Sequence, residues 1–271
     1  MSEKKICVTT SREAGEHLRK AASDLARVLE ARRVPRRERS LERIAEEEGA
    51  DIVVVVGGDR ITCYAEGEKF FFHPSMAKNR IRALRQGQRD PMVEAMGLRP
   101  GMSVLDATLG RAADACVAAH VVGEEGRVVG LEVVPLIAHL TRLGLREFET
   151  DSKALAAAMR RVEVVLADHA EYLAAARKNS FDVVYFDPFF PETIPGAQAI
   201  QPLRVIGRHG MPTEETIAHA ARVARRRVVV KLRRDLPPPS WAEKWEAVGG
   251  KKSRVVYRVL RVGEDGGGEG E

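Results

Sequence analysis

Short apolar runs recur from Val104 onward, and each ends on a polar group. Val104-Leu105 leads into Asp106, Val128-Val129-Gly130-Leu131 into Glu132, Val162–Ala167 into Asp168 and His169, and Val183-Val184-Tyr185-Phe186 into Asp187. Runs of this length bounded by turn residues predict buried strands. The stretch from Ala112 onward, between the first two runs, is Ala-rich and helix-forming. Arg226–Leu232 predicts a further strand. Such strand–helix alternation predicts a mostly parallel sheet with helices on both faces. The end of the chain differs: Glu246–Val248 and Ser253–Val262 flank Gly249-Gly250-Lys251-Lys252 and predict an antiparallel hairpin. The fold class is therefore α/β, with the main domain at residues 102–262.

Residues 1–73 read as a smaller α/β domain. Lys5–Thr9 predicts a strand, and Ser11 is placed to cap a helix with the apolar face Leu18, Ala22, Leu25 and Leu29. Val34–Arg39 is a basic turn, Leu41–Glu48 a short helix and Asp51–Gly58 a core strand. Arg60–Ala65 and Lys69–His73 predict two strands joined at Glu66-Gly67-Glu68. Pro74–Gly97 reads as one basic helical stretch before a turn at Leu98–Gly101, so residues 74–101 are expected to form a connector. Residues 263–271 are rich in Gly and Glu and predict a disordered tail.

Composition narrows the classes. The 271-residue chain is 44% hydrophobic and 31% charged, which allows a sizeable core and a charged surface. No apolar run reaches membrane-spanning length and no signal-peptide core follows Met1, so a cytoplasmic protein is expected. Cys7, Cys63 and Cys116 are widely spaced, which fits reduced buried thiols rather than a disulfide frame or a metal site. The net charge is +5 and the tail is acidic, so the body is more basic still. That balance fits a polyanionic partner.

In an open α/β sheet, ligands sit outside the carboxyl ends of the strands. Asp187 and Phe189 are then expected to face a ligand crevice, with Pro188 stopping the strand. A carboxylate beside a flat apolar face suits a planar base with an exocyclic amine. The acid accepts an N–H bond, and Phe189 or Phe190 stacks the base, a contact worth about 1–3 kcal/mol. Glu132 is placed to accept hydrogen bonds from ribose hydroxyls. The turn from Asp106 to Asp114 offers small residues and a helix N-terminus, so a ligand can approach backbone N–H groups.

These blocks, in this order, resemble the bacterial small-subunit rRNA guanine-N2 methyltransferases of the RsmJ type. The matching residues are Met92–Gly97, Asp106-Ala107-Thr108 with Gly110 and Asp114-Ala115, Leu131-Glu132, Tyr185-Phe186-Asp187-Pro188 with Phe190-Pro191, and Arg227–Lys231 with Pro237-Pro238. The likeness runs from Lys5 to Val262. Some Gram-positive relatives carry a similar Phe-His-Pro-Ser-Met-Ala lead-in, His73–Ala77 here. The resemblance implies a Rossmann-like class I methyltransferase sheet and S-adenosylmethionine (SAM) as cofactor. Carried over by position, the SAM site would be lined by Asp106, Thr108, Gly110, Ala113, Asp114, Glu132, Val133, Asp168, His169 and Asp187. Asp114 would meet the methionine ammonium, and Asp168 the adenine amino group. Asp187, Pro188, Phe189 and Phe190 would form the catalytic turn. The chain departs from the family at three points. Gly110-Arg111-Ala112 replaces Gly-x-Gly, Asp168-His169 replaces paired serines, and Glu192–Gly210 replaces a more basic segment.

The resemblance also implies an RNA partner, ribosomal RNA or the small subunit. Lys78, Arg80, Arg82, Arg85 and Arg89 form the candidate docking surface, and Arg204 and Arg208 are candidates for phosphate contacts. His73 and His169 lack metal-like partners in the sequence, so no metal is expected. Three functions fit the residues. The first is an rRNA methyltransferase acting at guanine N2. The second is an adenine-N6 or other nucleic-acid amine methyltransferase, because Asp-Pro-Phe-Phe resembles the Asp-Pro-Pro-(Phe/Tyr) of amine methylators generally. The third is a non-catalytic RNA-binding protein with a degenerate SAM fold, suggested by Ala112 alone.

Overall fold

The computed structural model describes residues 4–188 and 210–263, which divide into two units. One runs to His73 and takes in Val134–Leu136, and the other begins at Pro74. The first unit consists of β1 (Ile6–Thr10), α1 (Glu16–Val28), β2 (Arg32–Arg33), α2 (Leu41–Glu48), β3 (Ile52–Val56), β4 (Ile61–Ala65) and β5 (Glu68–Phe71). Its sheet has the order β2-β1-β3-β4-β5, with β1, β2 and β3 parallel and the rest antiparallel. Cys7, Val34, Ile44 and Val53 form its buried cluster on the α2 side. Ser11 does not cap α1: the helix begins later, at Glu16, with Gly15 at the N-cap and no side-chain cap. The sequence reading also missed β2, two exposed arginines on the edge of the sheet. Two polar residues leave no apolar period to read.

The second unit opens with α3 (Ala77–Arg85) and α4 (Pro91–Met96). These replace the single helix expected over Pro74–Gly97. Gly87 turns the chain at φ +78°, and Asp90 caps α4 by accepting from the N–H groups of Met92 and Val93, with Pro91 in the first turn. The helices are not a bare connector. Ala77, Ile81, Met92, Ala95 and Met96 are buried in the second unit.

Then follow β6 (Ser103–Asp106), α5 (Ala113–Val122), β7 (Arg127–Glu132), α6 (Pro135–Glu147), α7 (Lys153–Arg160), β8 (Val162–Leu166), α8 (His169–Ala175), β9 (Phe181–Phe186), α9 (Glu214–Val223), β10 (Ala224–Arg233), β11 (Glu246–Val248) and β12 (Val255–Arg261). The sheet order is β11-β12-β10-β9-β6-β7-β8. The strands from β10 to β8 are parallel, and β12 runs antiparallel between β10 and β11. This is the Rossmann-like sheet closed by a hairpin that the sequence predicts. Val104, Leu105, Val183, Val184, Val228 and Val229 are at most 1% exposed. Strands covered on both faces have no solvent side, which explains why they read as unbroken apolar runs. Trp241 and Trp245 sit around a 3-10 turn at Ser240–Ala242, with rings 5.3 Å apart and packed on the main core. No helix among the described residues is long and apolar enough to cross a membrane.

Candidate active site

The parallel strands β6, β7, β8 and β9 deliver their carboxyl ends to one edge of the sheet. From β6 the chain builds outward through β7 and β8, then resumes on the other side at β9. The switch point, where open sheets bind ligands, therefore lies between β6 and β9. Asp106 ends the first of these strands, and Asp187 follows the second.

Hydrogen bonds tie the turn after β6 to both neighbouring strands. Ala107 N–H donates to the Tyr185 carbonyl at 2.8 Å, and Leu109 N–H to the Leu131 carbonyl at 2.9 Å. Asp187 N–H donates to Thr108 Oγ1 at 2.6 Å, and Gly110 N–H to the Glu132 carboxylate at 3.2 Å. Thr141, buried on α6, donates its hydroxyl to the Gly110 carbonyl at 2.7 Å. Gly110 and Ala112 are both left-handed, at φ +51° and +60°. Gly110 is buried, yet a Cβ built on it would meet no atom within 4 Å. The turn thus borders a hollow. Gly130 has the opposite reason to lack a side chain: a Cβ there would lie 2.2 Å from Leu109 of the same turn. An open glycine turn, the first N–H groups of α5 and an acid at the end of β7 suit a cofactor with a carboxylate at one end and ribose hydroxyls at the other. The residues present fit SAM.

A chain of charges runs beside this turn. Arg80 holds Asp90 through two bonds, at 2.7 and 2.9 Å, and pairs with Asp114. Asp114 also accepts from the Tyr185 hydroxyl at 2.7 Å and from Lys231 Nζ at 3.3 Å. Lys231 reaches on to Asp187 Oδ2 at 2.7 Å. Burial opposes the charge on Asp114, but Lys231 and Arg80 outweigh it and hold that carboxyl below the usual range. Burial likewise opposes the charge on Lys231, and Asp114 with Asp187 more than offsets it, so the ammonium is held above the ordinary lysine range. Asp187 goes the other way: burial pushes it up against the pull of Lys231, and Asp114 adds to the rise. Asp106 is 3% exposed and accepts a bond from Thr108 N–H at 3.1 Å. Burial pushes its carboxyl up to about 8.

The expected site residues meet different fates. Thr108, Gly110, Glu132 and Asp187 come together around the β6 turn. Ala113 opens α5, Val133 follows β7, and Pro188 is buried. Asp114 already serves two cations and a phenol. Asp168 spends Oδ1 on capping α8, with Ala170 N–H at 2.8 Å. His169 sets its ring edge-on to Phe186, 5.7 Å between centroids, and burial lowers its pKa. Arg80 is corrected outright. It points inward to Asp90 and Asp114, so it is withdrawn from the RNA-docking set. Lys78 pairs with Asp151 at 2.5 Å and Arg89 with Glu94 at 3.6 Å, while Arg82 and Arg85 are exposed. Phe189, Phe190, Arg204 and Arg208 lie outside the described residues. Sequence reasoning gave no role to Tyr185, Lys231 or Thr141. A tyrosine and a lysine interrupting buried valine strands were signals; Thr141 gave none. Among the described residues, no group of His, Cys, Asp and Glu is arranged to hold a metal.

Comparison with known proteins agrees with this geometry. A family described as "Putative SAM-dependent methyltransferase" matches residues 50–257. YpiP of Bacillus subtilis (strain 168) is 40% identical over 225 residues, which cover 83% of this chain and 87% of that protein. The ribosomal RNA small subunit methyltransferase J of Coxiella burnetii (strain RSA 331 / Henzerling II) is 31% identical over 185 residues, 65% of this chain and 68% of that one. The protein of the same name from Laribacter hongkongensis (strain HLHK9) is 35% identical over 150 residues, 54% of this chain and 52% of that one. A SAM-dependent methyltransferase from Neisseria gonorrhoeae shares the fold, with a TM-score of 0.61 at 18% identity over 94% of this chain and 95% of that chain. With the family matched across the sheet and the turn that fits its cofactor, this chain belongs to the SAM-dependent methyltransferases, and SAM is its methyl donor.

Proposed function

We propose that the chain methylates an exocyclic amine of a nucleic-acid base, guanine N2 of small-subunit ribosomal RNA. The observation that carries this reading is the setting of Asp187. Its N–H is tied to Thr108 in the cofactor turn, and Lys231 holds Oδ2. Oδ1 has no hydrogen-bond partner among the described residues, and the side chain is 34% exposed, so an incoming group can reach it. The two relatives named small-subunit rRNA methyltransferases support ribosomal RNA as the acceptor.

Bound SAM supplies an electrophilic methyl group. The turn at Gly110 and the Glu132 carboxylate would hold it, with Glu132 facing the ribose. An exocyclic base amine is a weak nucleophile because its lone pair is delocalised into the ring. Asp187 would accept one amine N–H, which aligns the nitrogen and favours a more pyramidal, nucleophilic form. Lys231 fixes the direction of the carboxylate. The raised proton affinity of Asp187 makes it a stronger acceptor. Alignment and exclusion of water are then the main sources of rate.

The test is nucleoside analysis of small ribosomal subunits incubated with the protein and SAM. N2-methylguanosine is the expected product. N6-methyladenosine would move the acceptor to adenine, and the absence of any methylated nucleoside would contradict the reading.

A further inference from the structure

The segment Arg32–Arg43 carries six arginines and no lysine. Arg32 pairs with Glu48, and Arg39 and Arg43 share Glu47, each at 2.7 Å. Arg33, Arg36 and Arg37 form no ion pair among the described residues. Arg33 and Arg37 are exposed. Arg36 is partly buried, with Nε and Nη1 shut off from solvent and without an acceptor. Its pKa is lowered, first by burial and then by Arg12, with Glu42 opposing. A buried donor without an acceptor forfeits its hydration and gains nothing in return. Like charges gathered beside it add to that cost, and an anion held by the exposed Arg33 and Arg37 would relieve the repulsion.

The topology puts this loop at the carboxyl edge of the parallel strands. It follows the carboxyl end of β2, Arg12 follows that of β1, and the two strands are parallel. The order β2-β1-β3-β4-β5 is that of a sheet with its own switch point between β1 and β3. A cleft of about 670 Å³ runs along the loop, with Arg33, Pro35 and Arg37 in its wall. Glu38, Glu47 and Glu48 also line it, so the cleft is mixed in charge and its free cations are those of the loop. Arginine's planar fork pairs with phosphate through two parallel bonds, which a lysine cannot do. The helix expected to dock RNA is weaker by comparison, since Arg80 faces inward and Lys78 is paired.

We propose that the loop from Arg33 to Arg37, with Arg12 beside it, is a phosphate-binding surface that docks the RNA backbone. The proposal rests on the reading of RNA as substrate. It gives the first unit a task distinct from methyl transfer: holding the acceptor by a sequence-independent contact.

The test uses the full chain with Arg33→Ala and Arg37→Ala combined, both exposed positions where the fold is not at stake. Fluorescence anisotropy with a labelled single-stranded RNA is measured across a salt series. The variant is expected to bind on the order of tenfold more weakly, and the slope of log K against log salt should fall by about 1.4 for two lost phosphate contacts. Calorimetric SAM affinity should not change. A matching Arg82→Ala, Arg85→Ala variant should lose less. Equal RNA affinity and slope in the wild type and the first variant would overturn the surface, as would competition by adenosine monophosphate as strong as that by RNA. Nucleoside analysis separates the two ideas. A wild type that binds RNA through this loop but methylates nothing overturns the transfer reading and keeps the surface. Methylation with RNA affinity and KM unchanged by the substitutions overturns the surface and keeps the transfer reading.

Discussion

At the scale of single residues, the site is defined by how few ways each charge can be satisfied. Asp106 is the clearest case. Its folded pKa of about 8 lies above the unfolded value of about 4. The folded protein therefore keeps a proton that the unfolded chain has released. The stability this contributes is complete below about pH 4 and is lost as pH rises through about 8. Asp106→Asn removes the titration, so the wild type should lose Tm relative to this variant as pH is raised from about 5 to 8. Parallel melting curves at several pH values check this. Asp114, held low, acts only at more acidic pH and does not blur that window.

Ala112 is a different balance. A left-handed alanine costs about 1–2 kcal/mol relative to glycine. Its buried methyl returns about 0.8 kcal/mol, and a more restricted unfolded chain returns about 0.4–1 kcal/mol. Ala112→Gly should thus change stability by less than about 1 kcal/mol in a denaturant titration. That near-cancellation is how this chain tolerates a left-handed alanine at the turn.

Lys231 carries the sharpest residue-level expectation. Without it, Asp187 loses the stronger of the two cations that oppose burial, Arg80 being the other, so its pKa should rise further. Lys231→Met should slow transfer and move the acid limb of its pH profile upward, while Lys231→Arg should restore part of the rate. An unchanged profile in the Met variant would remove Lys231 from the site. Residues such as Asp187, Glu132 and Gly110 were legible because strand ends and glycine turns have fixed places in open sheets. Lys231 and Tyr185 were harder, because their partners lie far away in sequence, 44 to 117 residues for Lys231 and 71 for Tyr185.

At the scale of elements, Arg80 is the pin. It joins α3 to the cap of α4 through Asp90 and to α5 through Asp114. Removing Arg80 leaves Asp90 without its counter-charge and Asp114 with Lys231 as its remaining cation, at a cost of about 3 kcal/mol. Arg80→Met should therefore lower stability by about that amount in urea, whereas Arg82→Ala on the exposed face should leave it nearly unchanged. Most of the sheet could be read from the chain because apolar strands and hairpin glycines are local signals. The split between α3 and α4 was also written locally, in Asp90-Pro91 after Gly87. The inward turn of Arg80 was not, because only packing shows which side of a basic helix faces the core.

At the scale of the molecule, the two units carry different charge problems. The second unit gathers acids and cations at the sheet's switch point, where the cofactor turn lies. The first collects arginines without an ion pair among the described residues at the carboxyl edge of its own parallel strands. The family's chemistry, which sits at strand ends, accounts for the former, and the polyanionic acceptor proposed above would account for the latter. In the proposed mechanism Asp187 positions the acceptor amine while the cofactor turn works independently of it. The most direct test compares the wild type with Asp187→Ala on small ribosomal subunits, reading methyl incorporation alongside calorimetric SAM affinity. Incorporation should be lost in the variant while SAM binding stays within a few-fold of the wild type. Methyl transfer at the wild-type rate by the variant would contradict the account.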